Sequence, residues 1–198
     1  MSEKAAHFAQ QRQHLLDLLR QEPRGIDKRQ NNYLLSLIGE LESACPTNLA
    51  VPESLDLLEG VWELRWSSST KPYLAVGPWL ENLQLLSPSR GRGMNLLRLP
   101  GKLASLAGIA VAAAINVDIA PVDGPLQRVQ VNFKKGGWLG PSIGGKRLQL
   151  MREINQSFPA WLDITYLDSD LRLCHGNGGT IFALLRRSDL SIEELLPS

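Results

Sequence analysis

The chain has 198 residues, of which 43% are hydrophobic, and it contains five tryptophans and only two cysteines. This composition excludes a disordered polypeptide and is sufficient for a folded domain with its own core. Two cysteines cannot by themselves form a disulfide framework or a zinc site, which indicates a reducing compartment.

The net charge of +1 conceals an uneven distribution of charge along the chain. Residues 1–81 carry a net charge of −3 and residues 153–198 a net charge of −4, whereas residues 82–152 hold ten basic and only two acidic residues. A cationic block of this kind favours an anionic partner, such as a membrane surface, a nucleic acid or an acidic protein.

The first 45 residues predict two helices. The leucine-rich stretch Leu15–Leu19 is broken by Pro23 and Gly25. Asp27 is a favourable N-cap for a second helix, because Gln30 follows it at capping-box spacing. The apolar stripe of this second helix comprises Leu34, Leu37, Ile38, Leu41 and Cys45.

After residue 58 the hydrophobic period changes from that of a helix to that of a strand. In Val61–Ser68, the residues Trp62, Leu64 and Trp66 fall on one face and charged residues alternate with them. The other predicted strands are Trp79–Leu86, Met94–Arg98, Ile115–Ala120, Gln127–Phe133, Arg147–Met151, Trp161–Leu167, Leu171–His175 and Thr180–Arg187. Short strands at this regular spacing predict an antiparallel barrel or sandwich.

These patterns divide the chain into two predicted parts. We expect residues 1–52 to form a helical segment that ends in the linker Pro46–Pro52. Residues 53–198 are expected to form the mainly β domain.

The longest apolar stretch is Leu103–Ile115. It is too short to cross a bilayer as a helix, which needs ~20 apolar residues. Two interpretations stay open: a helix that plugs one end of the barrel, or a segment that rests on an anionic bilayer. In the second interpretation the membrane contacts are the four cations that precede or begin the stretch: Arg90, Arg92, Arg98 and Lys102.

A phosphate-loop spacing in Gly140–Lys146 is not supported by its surroundings. Arg147 stands where the motif needs Ser or Thr, and an alternating strand follows where a helix is needed. We therefore expect a glycine-rich hairpin loop. The basic segments also lack the interleaved aromatic residues of a nucleic-acid-binding strand, so no nucleic-acid partner is predicted.

The histidines and cysteines predict neither a metal site nor a nucleophile. No two histidines have metal-ligand spacing. Cys174 and His175 are adjacent on a predicted strand, so their side chains should point to opposite faces. No cofactor is predicted.

Two segments resemble the plastid lipid-associated protein/fibrillin (PAP/fibrillin) family. The first is Leu57–Ser69, with Gly60 and Trp62 forming a G-x-W motif before a serine cluster. The second is Thr165–Arg172 and the glycines and Phe182 that follow it. The sequence departs from the family pattern in that Trp66 replaces a tyrosine, and Cys174 and His175 replace a serine and an arginine.

This resemblance implies a lipocalin-like antiparallel β-barrel of about eight to nine strands with an N-terminal helical segment. It implies non-enzymatic binding of a hydrophobic carotenoid, quinone or lipid, and association with thylakoid or lipid-body surfaces in photoprotection and lipid organisation. The N-terminal sequence lacks the features of a signal or transit peptide. This favours a cyanobacterial member, cytoplasmic or peripheral on the thylakoid, over a processed plant protein of plastoglobules or thylakoids.

A small barrel either fills its interior with side chains or holds one small ligand. The residues expected to line such a site are Trp62, Leu64, Trp66, Tyr166, Arg172 and Phe182. Two alternatives are ordinary core packing of the tryptophans and a salt bridge from Arg172 to Asp168 or Asp170. The alternative function is an accessory protein or enzyme of isoprenoid or quinone metabolism that acts through a partner protein.

Overall fold

The computed structural model describes residues 3–21, 30–69, 76–77, 79–101, 108–117, 127–143, 146–157 and 160–196. These residues form four α-helices, one short 3-10 helix (Pro88–Arg90) and nine strands. The helices are α1 (Glu3–Arg20), α2 (Asn31–Ala44), α3 (Pro52–Leu58) and α4 (Ile192–Leu195). The strands are β1 (Gly60–Ser67), β2 (Glu81–Ser87), β3 (Arg92–Arg98), β4 (Gly108–Val117), β5 (Arg128–Ile143), β6 (Lys146–Glu153), β7 (Ala160–Leu167), β8 (Leu171–Gly176) and β9 (Ile181–Arg186).

The strands form one antiparallel sheet that closes on itself. Its order is β4-β3-β2-β1-β9-β8-β7-β5-β6, and an additional pairing between β4 and β5 closes an eight-stranded barrel with β6 as an extra strand. This confirms the predicted antiparallel barrel with N-terminal helices. Closure removes exposed strand edges from the barrel itself.

The long strand β5 gives the two ends of the barrel different structures. Its N-terminal residues Arg128–Val131 pair with β7, whereas residues from Lys135 to Ile143 pair with β6. Along its other edge β5 pairs with β4 over nearly the whole length of β4. Along the C-terminal part of β5, the neighbouring strand is β6 instead of β7, so the barrel is not closed there. We call this the open end of the barrel. It contains the last residue of β3, Arg98, and the first residue of β4, Gly108.

Strand alternation places one apolar cluster inside the barrel. Its buried members are Leu49, Leu58, Trp62, Leu64, Leu86, Ala113, Ile115, Val129, Ile164, Cys174, Phe182 and Leu184. Helix α3 contributes Leu58 at the end of the barrel opposite the open end, where β1 begins. Burial of this many large side chains is the main favourable contribution to folding.

Two further clusters cover the outer face of the sheet. Helices α1 and α2 bury their leucines against the outer face of strands β8 and β9, at Leu171, Leu173 and Ala183. The C-terminal segment around α4 packs on the outer face of β2 and β3, with Leu195 near Leu83 and Leu96 in one cluster. Because both faces of β1 are covered, six consecutive residues of this strand are buried.

Charged residues on the outer face of β1 are buried and paired. Arg65 donates to the carbonyl oxygen of Leu19 in α1 at 2.8 Å. Glu63 accepts from Arg187 at 2.9 Å, and Arg187 also bonds Glu81 at 2.9 Å. Buried charges are tolerated where they are satisfied in this way.

The described part of the apolar stretch Leu103–Ile115 is a strand of the barrel wall and not a helix that plugs the barrel. Its residues from Gly108 onward form β4, and residues 102–107 lie outside the described part of the chain. The strand expected at Ile115–Ala120 thus begins earlier than predicted, it pairs with β5, and residues 118–120 lie outside the described part of the chain. Its inner and outer faces are both apolar, so it lacks the alternation by which a strand is usually detected.

The N-terminal helices differ from the prediction in detail. Helix α2 begins at Asn31 with Gln30 in the N-cap position, and Asp27 lies outside the described residues. The predicted stripe is buried except for Cys45, which is exposed beyond the end of the helix. The last residue of the predicted linker, Pro52, begins helix α3. No described helix has the length and apolar character needed to cross a membrane.

Candidate functional site: a buried arginine inside the barrel

Two β-bulges decide which predicted residues reach the barrel interior. The register of β1 against β9 shifts between Leu64 and Trp66, so that Trp66 lies opposite Ala183 in the outer cluster. A similar shift between Ile164 and Tyr166 places Tyr166 in the same outer cluster. A bulge inserts one residue into a strand and so reverses the face of the residues after it. The structure therefore corrects the expected interior positions of Trp66 and Tyr166.

Four of the residues predicted to line a ligand site lie inside the barrel: Trp62, Leu64, Phe182 and Arg172. Leu64 pairs with Leu184 across β1 and β9, and Arg172 pairs with Leu184 across β8 and β9. These three side chains therefore share one face of neighbouring strands. Trp62 is fully buried, and its indole Nε1 donates to the carbonyl oxygen of Leu58 at 3.0 Å.

Two guanidinium groups lie close to the Trp62 ring. Arg172 Cζ is 5.2 Å and Arg186 Cζ is 4.4 Å from the ring centroid. Both distances lie within the range of cation–π attraction, which offsets part of the cost of burying the charges. Arg186 is held in place by the carbonyl oxygens of Glu59, at 2.9 Å, and Leu57.

The glycine of the G-x-W motif makes room for this arrangement. Gly60 has φ +144°, and a Cβ at this position would lie 2.5 Å from Nη1 of Arg186. Any side chain here would displace Arg186 from the Trp62 ring, and an L-residue would also be strained at this backbone angle. Gly60 and Trp62 thus act together to hold Arg186.

Arg172 is the residue of greatest functional interest because it is buried and has no counter-ion among the described residues. It is 0% exposed, and its Nη2 donates a hydrogen bond to Oε1 of Gln84. Its Nε and Nη1 atoms have no hydrogen-bond partner in the described structure. Burial lowers the pKa of Arg172 to about 10, and the positive charge of Arg186 acts in the same direction. The guanidinium is therefore still charged at neutral pH.

The salt bridge considered as an alternative role for Arg172 is made by another residue. Arg12, on α1, donates to both oxygens of Asp168, at 2.6 and 3.0 Å, and to Asp170 at 2.7 Å. These two aspartates lie in the turn between β7 and β8, on the outside of the barrel under α1. Arg172 points inward because it alternates with the outward-facing Leu171 and Leu173, and it forms no ion pair with a carboxylate among the described residues.

Cys174 and His175 point to opposite faces of β8, as predicted. Cys174 is fully buried in the interior, and burial raises the pKa of its thiol to about 11. His175 faces α2, where its Nε2 lies 2.9 Å from Oε1 of Glu42. The thiol is therefore protonated at neutral pH and His175 points away from it, so the pair is not arranged for nucleophilic chemistry.

The inner face of the sheet becomes progressively exposed toward the open end. Along β4, Ile115 is 2% exposed, Ala113 is 9% exposed, and Val111 is half-buried, whereas Ile109 is 62% exposed. Gln84, which accepts a hydrogen bond from Arg172, lies on the same inner face of the sheet. It pairs with Trp62 of β1 along one edge of β2 and with the exposed Asn95 of β3 along the other. A ligand entering from this side would meet an apolar surface and then Gln84 and Arg172.

Of the four cations expected to contact a membrane, the three that the structure describes do not form one exposed surface. Arg92 and Arg98 lie at opposite ends of β3, about 20 Å apart. Arg98 is buried and its Nε donates to Glu81 at 2.7 Å, while Arg90 Nε donates to Ser87 at 2.8 Å. Lys102 lies outside the described residues.

A surface cavity of about 640 Å³ lies between α1 and α2, with Phe8, Leu35 and Glu40 among its lining residues. It is formed on the outer helices, away from Arg172. Because its lining residues are half-buried or exposed, a ligand there would gain little from desolvation.

Comparison with known proteins identifies related sequences. The PAP_fibrillin family profile matches residues 9–185. The chain is 24% identical to "Probable plastid-lipid-associated protein 3, chloroplastic" of Oryza sativa subsp. japonica, over 82% of this chain and 54% of that protein. It is 28% identical to "Plastoglobulin-1, chloroplastic" of Pisum sativum, over 79% of this chain and 54% of that protein.

The chain thus spans about half the length of the curated relatives it matches. No solved structure matches it at the same level of significance. The matched family region includes the whole barrel except its last residue, Arg186.

Proposed function

Because this chain belongs to the PAP/fibrillin family, we propose that its barrel binds a hydrophobic isoprenoid or lipid molecule and that the protein associates with thylakoid or lipid-body surfaces. In this proposal it shelters such molecules and organises lipids, in support of photoprotection. The names of its relatives refer to plastid lipids and plastoglobules.

The observation that carries the proposal is the buried, unsatisfied guanidinium of Arg172. An unpaired buried charge costs several kcal/mol, and its donors are costly to leave without acceptors. An oxygen-bearing ligand group would supply the missing acceptors, and the surrounding Trp62, Leu64 and Leu184 would contact its apolar part. Apolar sites with a few polar anchors suit ligands of this class.

This chemistry narrows the proposed ligand. A quinone carbonyl, a lipid carboxylate or phosphate, or an oxygenated carotenoid can accept from Nε or Nη1 of Arg172. A pure hydrocarbon cannot. We therefore favour a molecule with an apolar chain and an oxygen-bearing head over a hydrocarbon carotenoid.

A binding role also agrees better with the site than a catalytic one. The Cys174 thiol beside Arg172 is protonated, and the half-exposed His175 points away from it. The site thus has a fixed positive charge and hydrogen-bond donors, which suit recognition of a polar head group.

The test is a titration of the protein with three probes: a prenylated benzoquinone, palmitate, and the hydrocarbon squalene. Binding is read from the change in tryptophan fluorescence, since Trp62 lies beside the proposed head-group position. The wild type should bind the first two probes, and Arg172→Met should weaken both by about tenfold or more, as expected for loss of a charge-assisted hydrogen bond. The affinity for squalene should differ much less between the wild type and Arg172→Met.

Arg128→Gln provides a matched control, because Arg128 is a half-exposed surface arginine that pairs with Asp163 at 2.7 Å. It should leave all three affinities unchanged. If Arg172→Met binds the quinone and palmitate as tightly as the wild type, the proposed anchoring role is wrong. If the wild type binds none of the three probes, the binding proposal itself is wrong.

A further inference from the structure

An exposed apolar row crosses three strands at the open end of the barrel. Ile109 of β4 pairs with Trp138 of β5, and Trp138 pairs with Leu150 of β6. These residues are 62%, 41% and 65% exposed. Direct cross-strand partners lie on the same face of a sheet, so the three side chains form one continuous surface, which we call the apolar row.

The apolar row continues the inner face of the barrel. Trp62 pairs with Gln84, Gln84 with Asn95, and Asn95 with Val111, without a register shift. Ile109 is two residues from Val111 and therefore points to the same side of the sheet as the buried Trp62. The row is thus interior lining left uncovered where β6 leaves the closed part of the barrel.

Other exposed apolar side chains enlarge this surface. Leu148 is 46% exposed and lies on the same face of β6 as Leu150. Trp79 and Leu99, just before β2 and just after β3, are 76% and 40% exposed at the same end. Soluble proteins seldom leave so many large apolar side chains uncovered in one region, so this surface is expected to contact a partner.

The charges beside the row indicate what kind of partner. Arg152 lies opposite Gly136 on the face that carries Trp138 and Leu150, and its side chain is exposed. Lys134 and Lys135 of β5 are also exposed, although Lys135 lies on the other face of the sheet, where it is opposite Glu153. Apolar and aromatic side chains next to cations favour an anionic lipid surface. If a second copy of this chain bound at the same surface, the cations of the two chains would lie close together and repel each other.

We propose that the apolar row is the docking surface of this protein on an anionic lipid membrane, with Ile109, Trp138 and Leu150 inserted at the level of the head groups and Arg152 beside them. This inference rests on the proposed lipid association and names the surface that makes the contact. It also places the uncovered inner face of the barrel against the membrane, so that a hydrophobic ligand passes between lipid and barrel without crossing water.

The test is flotation of the full chain with vesicles of phosphatidylcholine, alone or mixed with phosphatidylglycerol, at low and high salt. Ile109→Glu and Leu150→Glu should each weaken partition into the anionic vesicles by about tenfold, since each replaces an inserted apolar group by a charge. Arg152→Gln should weaken it by about fivefold on anionic vesicles and leave binding to neutral vesicles unchanged.

The matched control is Leu35→Glu, because Leu35 is an exposed leucine on α2, away from the row, although at 36% it is less exposed than Ile109 and Leu150. It should float like the wild type. All four positions are exposed, so circular dichroism should show each variant to be folded. If Ile109→Glu and Leu150→Glu float as well as the wild type, the row is not the docking surface, although the proposed lipid association still stands.

Two other outcomes are also decisive. If the wild type binds neither kind of vesicle, both this inference and the membrane part of the proposed function are wrong. Ligand binding at Arg172 is tested separately, by the titration with quinone, palmitate and squalene in the absence of vesicles. If the variants reduce the molecular mass in light scattering and leave flotation unchanged, the row joins two copies of the chain and the inference is overturned.

Discussion

Arg12 and Asp168 form a two-point ion pair that joins the first helix to the turn between the seventh and eighth strands, with Nε–Oδ2 and Nη2–Oδ1 distances of 2.6 and 3.0 Å. Asp168 also accepts from the hydroxyl of Tyr166 at 2.6 Å and from the backbone N–H groups of Asp170 and Leu171. One carboxylate therefore organises the turn and attaches α1 to the barrel.

We expect Asp168→Asn to destabilise the protein by about 1–3 kcal/mol, because it removes the negative charge while several donors still converge on the site. The measurement is the free energy of unfolding in urea. The control is Asp189→Asn, which removes a carboxylate that pairs with Arg187 but is 62% exposed. It should cost less than about 1 kcal/mol. Equal effects of the two substitutions would contradict the special role of Asp168.

The same carboxylate should make stability depend on pH in the acid range. Although burial opposes ionisation, the hydrogen bonds from Arg12, Tyr166 and the backbone hold the pKa of Asp168 below its usual value of 3.8. A depressed pKa means that the stabilisation is present above the unfolded-state pKa and is lost as pH falls through the folded-state pKa. The stability difference between wild type and Asp168→Asn should therefore be constant near neutrality and shrink below about pH 4. A difference that does not change down to pH 3 would refute this assignment.

Gly60→Ala should destabilise the protein by about 1–3 kcal/mol, because the backbone angle at this position is strained for any other residue and the new Cβ meets Arg186. The matched control is Gly39→Ala in α2, where a Cβ would meet no atom within 4 Å. There the same change should stabilise the protein by about 0.5–1 kcal/mol through helix propensity. Thermal unfolding of both variants tests whether the two shifts have opposite signs.

Arg172→Met should leave the stability of the ligand-free protein unchanged or raise it by about 1–4 kcal/mol. The reason is that the substitution replaces a buried charged group, whose Nε and Nη1 atoms have no hydrogen-bond acceptor, by an apolar side chain of similar length. The same variant should lose ligand binding, because in this proposal Arg172 supports binding at a cost in the stability of the ligand-free protein. If Arg172→Met is instead destabilised by several kcal/mol, the arginine has a structural role that its contacts do not explain.

Most of the strands could be predicted from the sequence because the barrel wall follows simple alternation. Residues Gly60–Ser67 and Ile181–Arg186 lie close to their predicted ranges. Alternation could not predict the bulges that move Trp66 and Tyr166 to the outer face, because a bulge changes the pairing of strands without interrupting the apolar pattern.

The candidate site was only partly predictable for a similar reason. The sequence places Arg172 among the residues expected to line the site, but the nearby Asp168 and Asp170 offered an alternative local partner. Their actual partner, Arg12, lies more than 150 positions away in the sequence. The apolar row depends in the same way on long-range pairing, since Ile109, Trp138 and Leu150 become neighbours only through the register of three strands.

The most direct test of the account is mass spectrometry of the small molecules that remain bound when the wild type and Arg172→Met are purified from a photosynthetic host. We expect the wild type to carry an apolar molecule with an oxygen-bearing head group, and the variant to be folded and depleted of it at least tenfold, in proportion to the lost charge-assisted hydrogen bond. An equal amount of the same molecule in both proteins, or none in the wild type, would contradict the claim that Arg172 anchors a ligand inside the barrel.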